Sequence, residues 1–204
     1  MFQLYYASTS PYVRKVMAAA HCLGLTVQIE KLESAANPVK RDDRIARFNP
    51  LAKVPAMCTD DGTLLYDSRV ICEYLDAQSG HTLIPVDGSA RWSCLTRQAL
   101  GDGLLDAALL ARYELTLRPE EKQWEVWRQA QLSRVDAALA EINTQAPQLS
   151  RTPDDLGLIT LGCALGYLDF RFPGMDWRAL YPQAADWFAE FDEHPAMLET
   201  RPFT

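Results

Sequence analysis

The chain has 204 residues, of which 48% are hydrophobic and 23% charged, with a formal net charge of −7. This composition is ordinary for a globular protein of one large domain or two modest ones. The acidic balance argues against a protein that binds the phosphate backbone of a nucleic acid. No apolar run approaches the roughly 20 residues of a membrane span, and the first residues lack the basic segment and cleavage site of a secretory signal. We therefore expect neither a membrane protein nor a secreted one.

The cysteines are odd in number, scattered, and mostly placed inside apolar periodic segments; they are Cys22, Cys58, Cys72, Cys94 and Cys163. None of them forms a CxxC pair or a Cys–His cluster with the spacing of a metal site. The pattern is typical of buried free thiols in a reducing cytoplasm. We expect a cytoplasmic protein without a metal.

The first part of the chain predicts a strand, a helix and a second strand. The apolar run Phe2–Ala7 predicts a buried strand, and Pro11 opens a helix that carries an apolar stripe and ends near Gly24. Alternation and β-branched residues over Thr26–Leu32 predict the next strand. This βαβ unit implies a parallel pair of strands. Residues 33–48 are polar without a clean period and are interpreted as a mobile loop with up to one helical turn.

A β-hairpin follows, formed by Val54–Cys58 and Thr63–Tyr66 around the turn Asp60–Gly62. The proline that opens the first strand suits either an edge strand or a cis bond that turns the preceding backbone outward. An outward-facing Val54 would offer its N–H and C=O to an extended peptide ligand. A helix over 68–78 comes next, and the N–H groups at its start would attract a carboxylate. The stretch is therefore typical of a site that holds a small peptide.

Beyond a Gly- and Pro-containing linker, Ser79–Ser89, the sequence predicts only helices. Pro119 is interpreted as the proline that opens the second of them, and Asp155 as the N3 residue of a capping box begun by Thr152. The helical segments are Ala90–Leu117, Glu120–Thr144, the buried central helix Leu156–Leu168, and Pro182–Asp192. The predicted fold class is a small α/β domain followed by an all-α domain.

The order of elements and four motifs resemble the glutathione S-transferase superfamily over essentially the whole chain. The motifs are Ser10-Pro-Tyr-Val-Arg-Lys-Val16, Asn49-Pro-Leu-Ala-Lys-Val-Pro55, Tyr66-Asp-Ser-Arg-Val-Ile-Cys-Glu-Tyr-Leu75 and the capped helix that follows Thr152. The resemblance implies a thioredoxin-like glutathione-binding domain over 1–78, a linker over 79–89 and a helical domain over 90–204. The helical domain would supply an apolar pocket for the second substrate.

The resemblance also assigns the glutathione-binding residues. It implies a cis Pro55 and antiparallel main-chain bonds from Val54 to the cysteinyl part of the ligand. Asp67 and Ser68 match the pair that holds the γ-glutamyl end, and Lys53 matches a position that reaches the glycyl carboxylate. The alternative interpretations are an exposed lysine, an acidic turn residue and a serine helix cap.

The chemistry implied is activation of the glutathione thiol. A free thiol has a pKa near about 8.5, so a hydroxyl donor and a helix N-terminus aimed at the sulfur would raise its thiolate fraction. Ser10 is the first candidate donor, and its alternative role is to cap the helix that Pro11 begins. Thr9, Ser8 and Tyr6 are rival donors.

The predicted function is a glutathione transferase that uses glutathione as co-substrate, promotes attack of its thiolate on a small apolar electrophile, and acts as a homodimer. The alternative is a non-catalytic scaffold of the same fold that binds proteins or ligands. In some relatives a carboxylate at the position of Asp102 reaches the ligand from the partner subunit, whereas a solvated or structural aspartate is the favoured interpretation here.

Overall fold

The computed structural model describes residues 1–34 and 37–202. Its strands are β1 (Phe2–Tyr6), β2 (Ile29–Glu33), β3 (Ala56–Cys58) and β4 (Leu64–Leu65). Its helices are α1 (Pro11–Cys22), α2 (Asp43–Ala46), α3 (Ser68–Gln78), α4 (Gly88–Thr116), α5 (Glu125–Gln145), α6 (Leu156–Arg171), α7 (Trp177–Leu180), α8 (Pro182–Phe191) and α9 (Pro195–Leu198). Within the described ranges, no helix is long and apolar enough to cross a membrane.

The strands form one mixed sheet in the order β2-β1-β3-β4. β1 and β2 are parallel, as the βαβ pattern predicted, and β3 is antiparallel to both β1 and β4. α1 and α3 pack against each other beside this sheet. A thioredoxin-like sheet with helices followed by a helical region confirms the predicted fold class. The domain bounds 1–78, 79–89 and 90–204 stay a prediction, with α4 beginning at Gly88 inside the proposed linker.

The second predicted strand begins later than expected. Thr26–Gln28 forms a 3₁₀ turn, closed by a hydrogen bond of 2.9 Å from the Gln28 N–H to the Leu25 carbonyl, and the strand starts at Ile29. Val27 is 83% exposed, so its β-branched side chain does not contribute to the core. The predicted loop carries one helical turn, α2, as expected, and its residues 35–36 lie outside the described residues.

Two expectations about helix starts were wrong. Pro119 precedes a 3₁₀ turn, and α5 begins only at Glu125, because the Glu114 carboxylate accepts a hydrogen bond of 2.7 Å from the Trp124 N–H and fixes the chain there. Asp155 is the N-cap of α6 rather than its N3 residue, since its side chain accepts a hydrogen bond of 2.8 Å from the Leu158 N–H. The buried central helix itself is confirmed, because every residue from 156 to 168 is buried.

α4 and α6 run in the same direction and make the most extensive contact between elements in the described chain. Near the start of the pair, a Cβ on Gly157 would lie 2.5 Å from the Cys94 carbonyl oxygen. Further along, a Cβ on Gly101 would lie 2.9 Å from the Thr160 side chain. The missing side chains allow this close approach of the two backbones. The two contacts follow one another in the same order along both helices, so the carboxyl ends of α4 and α6 lie on the same side of the pair.

Two adjacent buried cations on α1 join it to the helical half. The Arg14 guanidinium donates to Asp192 at 2.7 Å and to the Met197 carbonyl at 3.1 Å. It lies against Gly166 of α6, where a Cβ would come within 2.1 Å of a guanidinium nitrogen. The Lys15 ammonium, whose side chain is fully buried, donates to Asp102 of α4 at 2.7 Å. α1 is therefore held in place by charges from both ends of the helical half.

Candidate functional site

The strand registers bring three elements together at one end of the sheet. Tyr5 pairs with Ala56 across β1 and β3, so the next step brings Tyr6 level with Pro55. Met57 pairs with Leu65 across β3 and β4, so Pro55, just before β3, and Asp67, just after β4, leave the hairpin at the same end. The start of α1, the turn before β3 and the start of α3 are therefore neighbours. These are the elements that carry most of the predicted site residues.

Asn49 organises the loop that leads to β3. Its side chain is buried, with its amide oxygen accepting from the Leu51 N–H at 3.0 Å and its amide nitrogen donating to the Lys53 carbonyl at 3.0 Å. Ala52 takes a positive φ of 52° inside this loop. Asn49 belongs to a quoted motif, but no role was predicted for it from the sequence. The available signal was the Asn49-Pro50 pair, because an asparagine before a proline is typical of a turn.

Val54 and Pro55 lie just before β3 rather than inside it, because the strand begins at Ala56 and not at Val54 as predicted. The Val54–Pro55 peptide is cis, as the resemblance implied, and Pro55 is buried. The alternative of an edge strand is wrong, because β3 pairs with β1 on one side and β4 on the other. Within the described residues, the main chain of Val54 makes no hydrogen bond. Its N–H and C=O are therefore available to an extended ligand.

The start of α3 has the features of an anion site. Asp67 is the N-cap, with its carboxylate accepting a hydrogen bond of 2.9 Å from the Arg69 N–H, so the serine-cap interpretation of Ser68 is wrong. Ser68 is the buried first residue of the helix. The first main-chain hydrogen bond of the helix is donated by the Ile71 N–H to the Asp67 carbonyl at 3.0 Å. The N–H groups of Ser68 and Val70 are left by helix geometry to bind a ligand.

Asp102 binds side chains of α1 and α3, the two helices whose first residues form the candidate site. One of its carboxylate oxygens accepts from Lys15 at 2.7 Å and the other accepts from Arg69 at 2.8 Å. The residue is 1% exposed, so both oxygens are occupied inside its own subunit. The structural interpretation of Asp102 therefore holds, and the idea that it reaches across to a ligand does not. It ties α1 and α3, the two helices whose starts form the site, to α4.

Ser10 is the N-cap of α1. Its hydroxyl oxygen accepts a hydrogen bond of 3.3 Å from the Val13 N–H, and Pro11 follows as the first helical residue. This cap uses a lone pair of the hydroxyl and leaves its proton free to donate. The residue is half-buried. Capping and donation to a sulfur are thus compatible roles for the same side chain.

The rival donors differ in their surroundings. Tyr6 and Ser8 line a cavity of about 170 Å³ together with residues of α1 and with Glu199 and Thr200 beyond α9. The Lys31 ammonium lies 4.8 Å from the centre of the Tyr6 ring. Burial and the nearby Glu33 carboxylate raise the pKa of Tyr6, which keeps its phenol protonated. Thr9 is half-buried beside Ser10.

A cluster of aromatic and basic groups, which no local sequence pattern predicted, lies between α1, α4 and α6. The Tyr12 hydroxyl donates to the Asp106 carboxylate of α4, and burial and that carboxylate raise the pKa of Tyr12. Burial and the charge interaction with Tyr113 raise the pKa of Tyr167 to about 12. The signal for Tyr167 was a tyrosine within an otherwise apolar helix, because a buried phenol usually has a polar partner.

Two cavities of the described chain are lined by none of the predicted glutathione-binding residues. One is the cavity that Tyr6 lines, and the other, of about 300 Å³, lies among α5, α7 and the start of α8. A site formed by a strand edge and a helix start is an open groove, so an enclosed cavity is not expected there. In residues 1–34 and 37–202, no group of three or more His, Cys, Asp or Glu side chains is arranged to hold a metal ion.

Comparison with known proteins identifies the family. Residues 9–78 match the family model described as glutathione S-transferase, N-terminal domain. The chain is 31% identical over 173 residues to the uncharacterized GST-like protein YibF of Escherichia coli K12, covering 83% of each chain.

Two solved structures are similar over their full length. A glutathione transferase family member from Pseudomonas fluorescens Pf-5, with bound glutathione, is 44% identical over 100% of both chains with a TM-score of 0.94. A structure from the same organism with bound S-(propanoic acid)-glutathione is also 44% identical, covers 100% of both chains and has a TM-score of 0.89. The chain belongs to the glutathione S-transferase superfamily.

Proposed function

We propose that this protein is a glutathione transferase, which binds glutathione as co-substrate and promotes attack of its thiolate on a small apolar electrophile. The proposed glutathione-binding residues are Ser10, Lys53, Val54, Pro55, Asp67 and Ser68, with Ser10 as the catalytic residue. The proposal includes a role in detoxification by conjugation. It includes no metal.

The observation that carries the proposal is the free main chain of Val54 beside the open start of α3. Met57 pairs with Leu65, and Val54 lies three residues before Met57 while Ser68 lies three residues after Leu65. An extended segment with free main-chain groups and an anion site therefore leave the hairpin at the same end, an arrangement that suits a short peptide with a terminal carboxylate. The full-length likeness to a protein with bound glutathione supports the same conclusion.

The chemistry of glutathione assigns a role to each group. The main chain of Val54 would pair with the cysteinyl residue of the ligand. The γ-glutamyl carboxylate would accept from the N–H groups and hydroxyl at Ser68, while its ammonium would pair with the exposed Asp67 carboxylate. The exposed side chain of Lys53 would reach the glycyl carboxylate. The main chain of Lys53 is fixed by the hydrogen bond from the Asn49 side chain to its carbonyl.

Thiol activation follows from the start of α1. The Ser10 hydroxyl would donate its proton to the sulfur while its oxygen continues to cap Val13. The positive end of the helix dipole would favour the same thiolate. Both interactions stabilise the charged form of the sulfur, so they lower the thiol pKa and raise the fraction of nucleophile at neutral pH. The bound S-(propanoic acid)-glutathione of the similar structure supports a site with room beyond the sulfur.

We also propose a cytoplasmic homodimer. All five cysteines are free, which a reducing compartment maintains. Exposed apolar side chains on α3 and α4 include Val70 and Trp92, of which Trp92 is 67% exposed. An ion pair of 3.2 Å between Arg91 and Glu73 joins the two helices next to them. Exposed apolar side chains on two helices that are joined in this way support association with a second copy.

Calorimetric titration with glutathione tests the binding part. The wild-type protein should bind with a micromolar-to-millimolar Kd. Asp67→Asn keeps an N-cap acceptor but removes the charge that pairs with the ligand ammonium, so its affinity should fall by roughly tenfold or more. Asp67→Ala, which also loses the cap, should bind no more tightly than Asp67→Asn. Equal affinity of wild type and Asp67→Asn would remove Asp67 from the site.

The activation part needs a separate readout. Ser10→Ala should leave glutathione affinity nearly unchanged but lower kcat by about 10²- to 10³-fold, the usual effect of losing one donor to a developing or resident anion. The ultraviolet absorbance of the bound thiolate should then appear only at higher pH. Ser10→Thr keeps a hydroxyl and serves as the matched control. An unchanged thiol pKa in Ser10→Ala would transfer the role to Thr9, Ser8 or Tyr6.

The scaffold alternative gives a different result in the same experiments. A protein of this fold that has lost the glutathione site would pass through a glutathione-affinity column and show no heat of binding. That outcome for the wild-type protein would reject the transferase proposal.

A further inference from the structure

The carboxyl ends of α4 and α6 bring two arginines together. Arg112 lies eleven residues beyond Gly101 on α4, and Arg171 lies eleven residues beyond Thr160 on α6, where the two helices are in contact. Because the helices run in the same direction, both arginines lie on the side of the pair where α4 and α6 end. Charge interactions between the two arginines, and with Tyr113 and Tyr167, show that the four groups form one cluster.

The two guanidinium groups lack a carboxylate partner in the part of the chain that the structure describes. Arg112 donates to the Thr116 hydroxyl one turn along its own helix at 3.3 Å. Arg171 lies over the Phe170 ring, with its central carbon 3.9 Å from the ring centre. By contrast, the nearby Arg118 and Arg178 each pair with a carboxylate, at 2.9 and 2.6 Å. In a protein of net charge −7, two neighbouring cations without a counter-ion are an unusual arrangement.

The electrostatics of the cluster favour an incoming anion. Burial and the charge of Arg112 lower the pKa of the Arg171 guanidinium, so the two positive charges repel each other. Burial raises the pKa values of Tyr113 and Tyr167, so both phenols stay protonated and act as donors. A carboxylate between the guanidinium groups would relieve the repulsion and accept from several donors at once.

The cluster lies close to the proposed position of the sulfur. The Tyr12 hydroxyl, two residues after Ser10, bonds to Asp106, which precedes Arg112 by six residues, or about 9 Å along α4. On the other helix, Gly166 lies against Arg14, five residues or about 7.5 Å before Arg171. A charge interaction also links Tyr12 with Tyr167, so the cluster begins next to the start of α1.

We propose that the electrophile of this enzyme carries an anionic group, a carboxylate, at the far end of its apolar body, and that Arg112 and Arg171 bind this group. The inference rests on the proposed transferase function and names its substrate class. For a benzylic chloride as the model substrate, the sulfur–carbon bond forms and the carbon–chlorine bond breaks. Chloride leaves with the bonding electron pair, and the thiol proton passes to solvent.

Binding of two matched conjugates tests this class without requiring turnover. The probes are S-(para-carboxybenzyl)glutathione and S-(para-carbamoylbenzyl)glutathione, which have nearly the same shape but differ in one negative charge. The wild-type protein should bind the acid roughly tenfold to a hundredfold more tightly, the effect of one or two charge-assisted hydrogen bonds. The double variant Arg112→Gln/Arg171→Gln should bind both conjugates equally.

Control measurements separate the possible failures. Arg134→Gln removes the same charge from an exposed position on α5 and should keep the full preference for the acid. Plain glutathione should bind the wild-type protein and the double variant alike, which also shows that the double variant is folded. Equal affinity of the wild-type protein for both conjugates, with glutathione still bound, would overturn this inference and leave the proposed function intact. A preference that persists in the double variant would overturn it too, whereas absence of glutathione binding would overturn both.

Turnover of the corresponding benzylic chlorides gives the kinetic counterpart. The wild-type kcat/KM should favour the para-carboxy substrate over the para-carbamoyl one by a similar factor. In the double variant the loss should fall on the carboxy substrate and appear mainly in KM, because the arginines bind the substrate at a distance from the reacting carbon. Equal losses for both substrates would contradict the inference.

Discussion

The buried carboxylate of Asp102 offers a strong test of how the two halves are held together. Its two partners differ sharply in burial: the Lys15 side chain is fully buried, whereas the Arg69 side chain is 54% exposed. Replacing Asp102 by alanine leaves the Lys15 ammonium buried without a counter-ion. Loss of one partner of a buried ion pair costs about 3 to 5 kcal/mol. Removing the Arg69 side chain instead leaves the carboxylate paired with Lys15, so the cost should be about 0 to 1 kcal/mol, the range of exposed pairs.

Urea unfolding of the purified variants measures both effects. Asp102→Ala should lower the free energy of unfolding by several times more than Arg69→Ala, with an unchanged dependence on urea concentration. The double variant Lys15→Met/Asp102→Leu removes both buried charges and keeps apolar volume, so it should recover most of the loss. Similar costs for Asp102→Ala and Arg69→Ala, or a double variant as unstable as Asp102→Ala, would refute the assignment of the loss to an unpaired buried charge.

Three further predictions concern the loop, a helix cap and the thiols. Asn49→Ala should weaken glutathione binding by about 1 to 3 kcal/mol, measured by calorimetry, because the loop before β3 loses both hydrogen bonds of the Asn49 side chain. Unchanged affinity would show that the loop keeps its conformation without these hydrogen bonds. Asp155→Ala should lower the free energy of unfolding in urea by about 1 to 2 kcal/mol, because α6 loses its N-cap. Asp155→Asn keeps an acceptor for the Leu158 N–H and should lower it less. Equal decreases for the two variants would assign the effect to the ion pair between Asp155 and Arg97. Burial raises the pKa of Cys72 to about 12 from an ordinary value of 9.0, so the unfolded chain loses this proton first and the free energy of unfolding should fall as the pH rises above about 9. Urea titrations at pH 8 and 10 measure that fall, which Cys72→Ala should reduce; a slope identical to wild type would contradict the burial argument.

The sequence predicted those parts of the fold that depend on local signals. Pro11 and the apolar stripe behind it marked α1, and the near-uncharged run from Leu156 marked a helix that is indeed buried. Errors arose where a distant side chain decided a boundary. Glu114 delays the start of α5 by holding the Trp124 N–H, a contact that no local pattern contains.

In the candidate site, too, the residues with local sequence signals were predictable and those placed by tertiary contacts were not. Val54 and Asp67 were identifiable because a proline, a tight turn and a helix start are encoded by neighbouring residues. The cluster of Arg112 and Arg171 was not, since the two residues are 59 positions apart and meet only because glycines let α4 and α6 approach closely. Asp102 likewise gave no local sign that it would be buried between two cations. The polar residues that connect elements are set by tertiary packing, which a single sequence does not display.

The pairing of Lys15 with Asp102 has a consequence for how the protein is made. The two residues are 87 positions apart, so a ribosome that adds about 5 to 20 residues per second needs roughly 4 to 17 s to synthesise the second after the first. During that interval the sheet and α1 can form, but the face of α1 that will be buried presents an unpaired ammonium to water. The Lys15 ammonium should keep this face of α1 hydrated in the nascent N-terminal half, and so oppose its association with other chains. Its final packing waits until α4 has emerged.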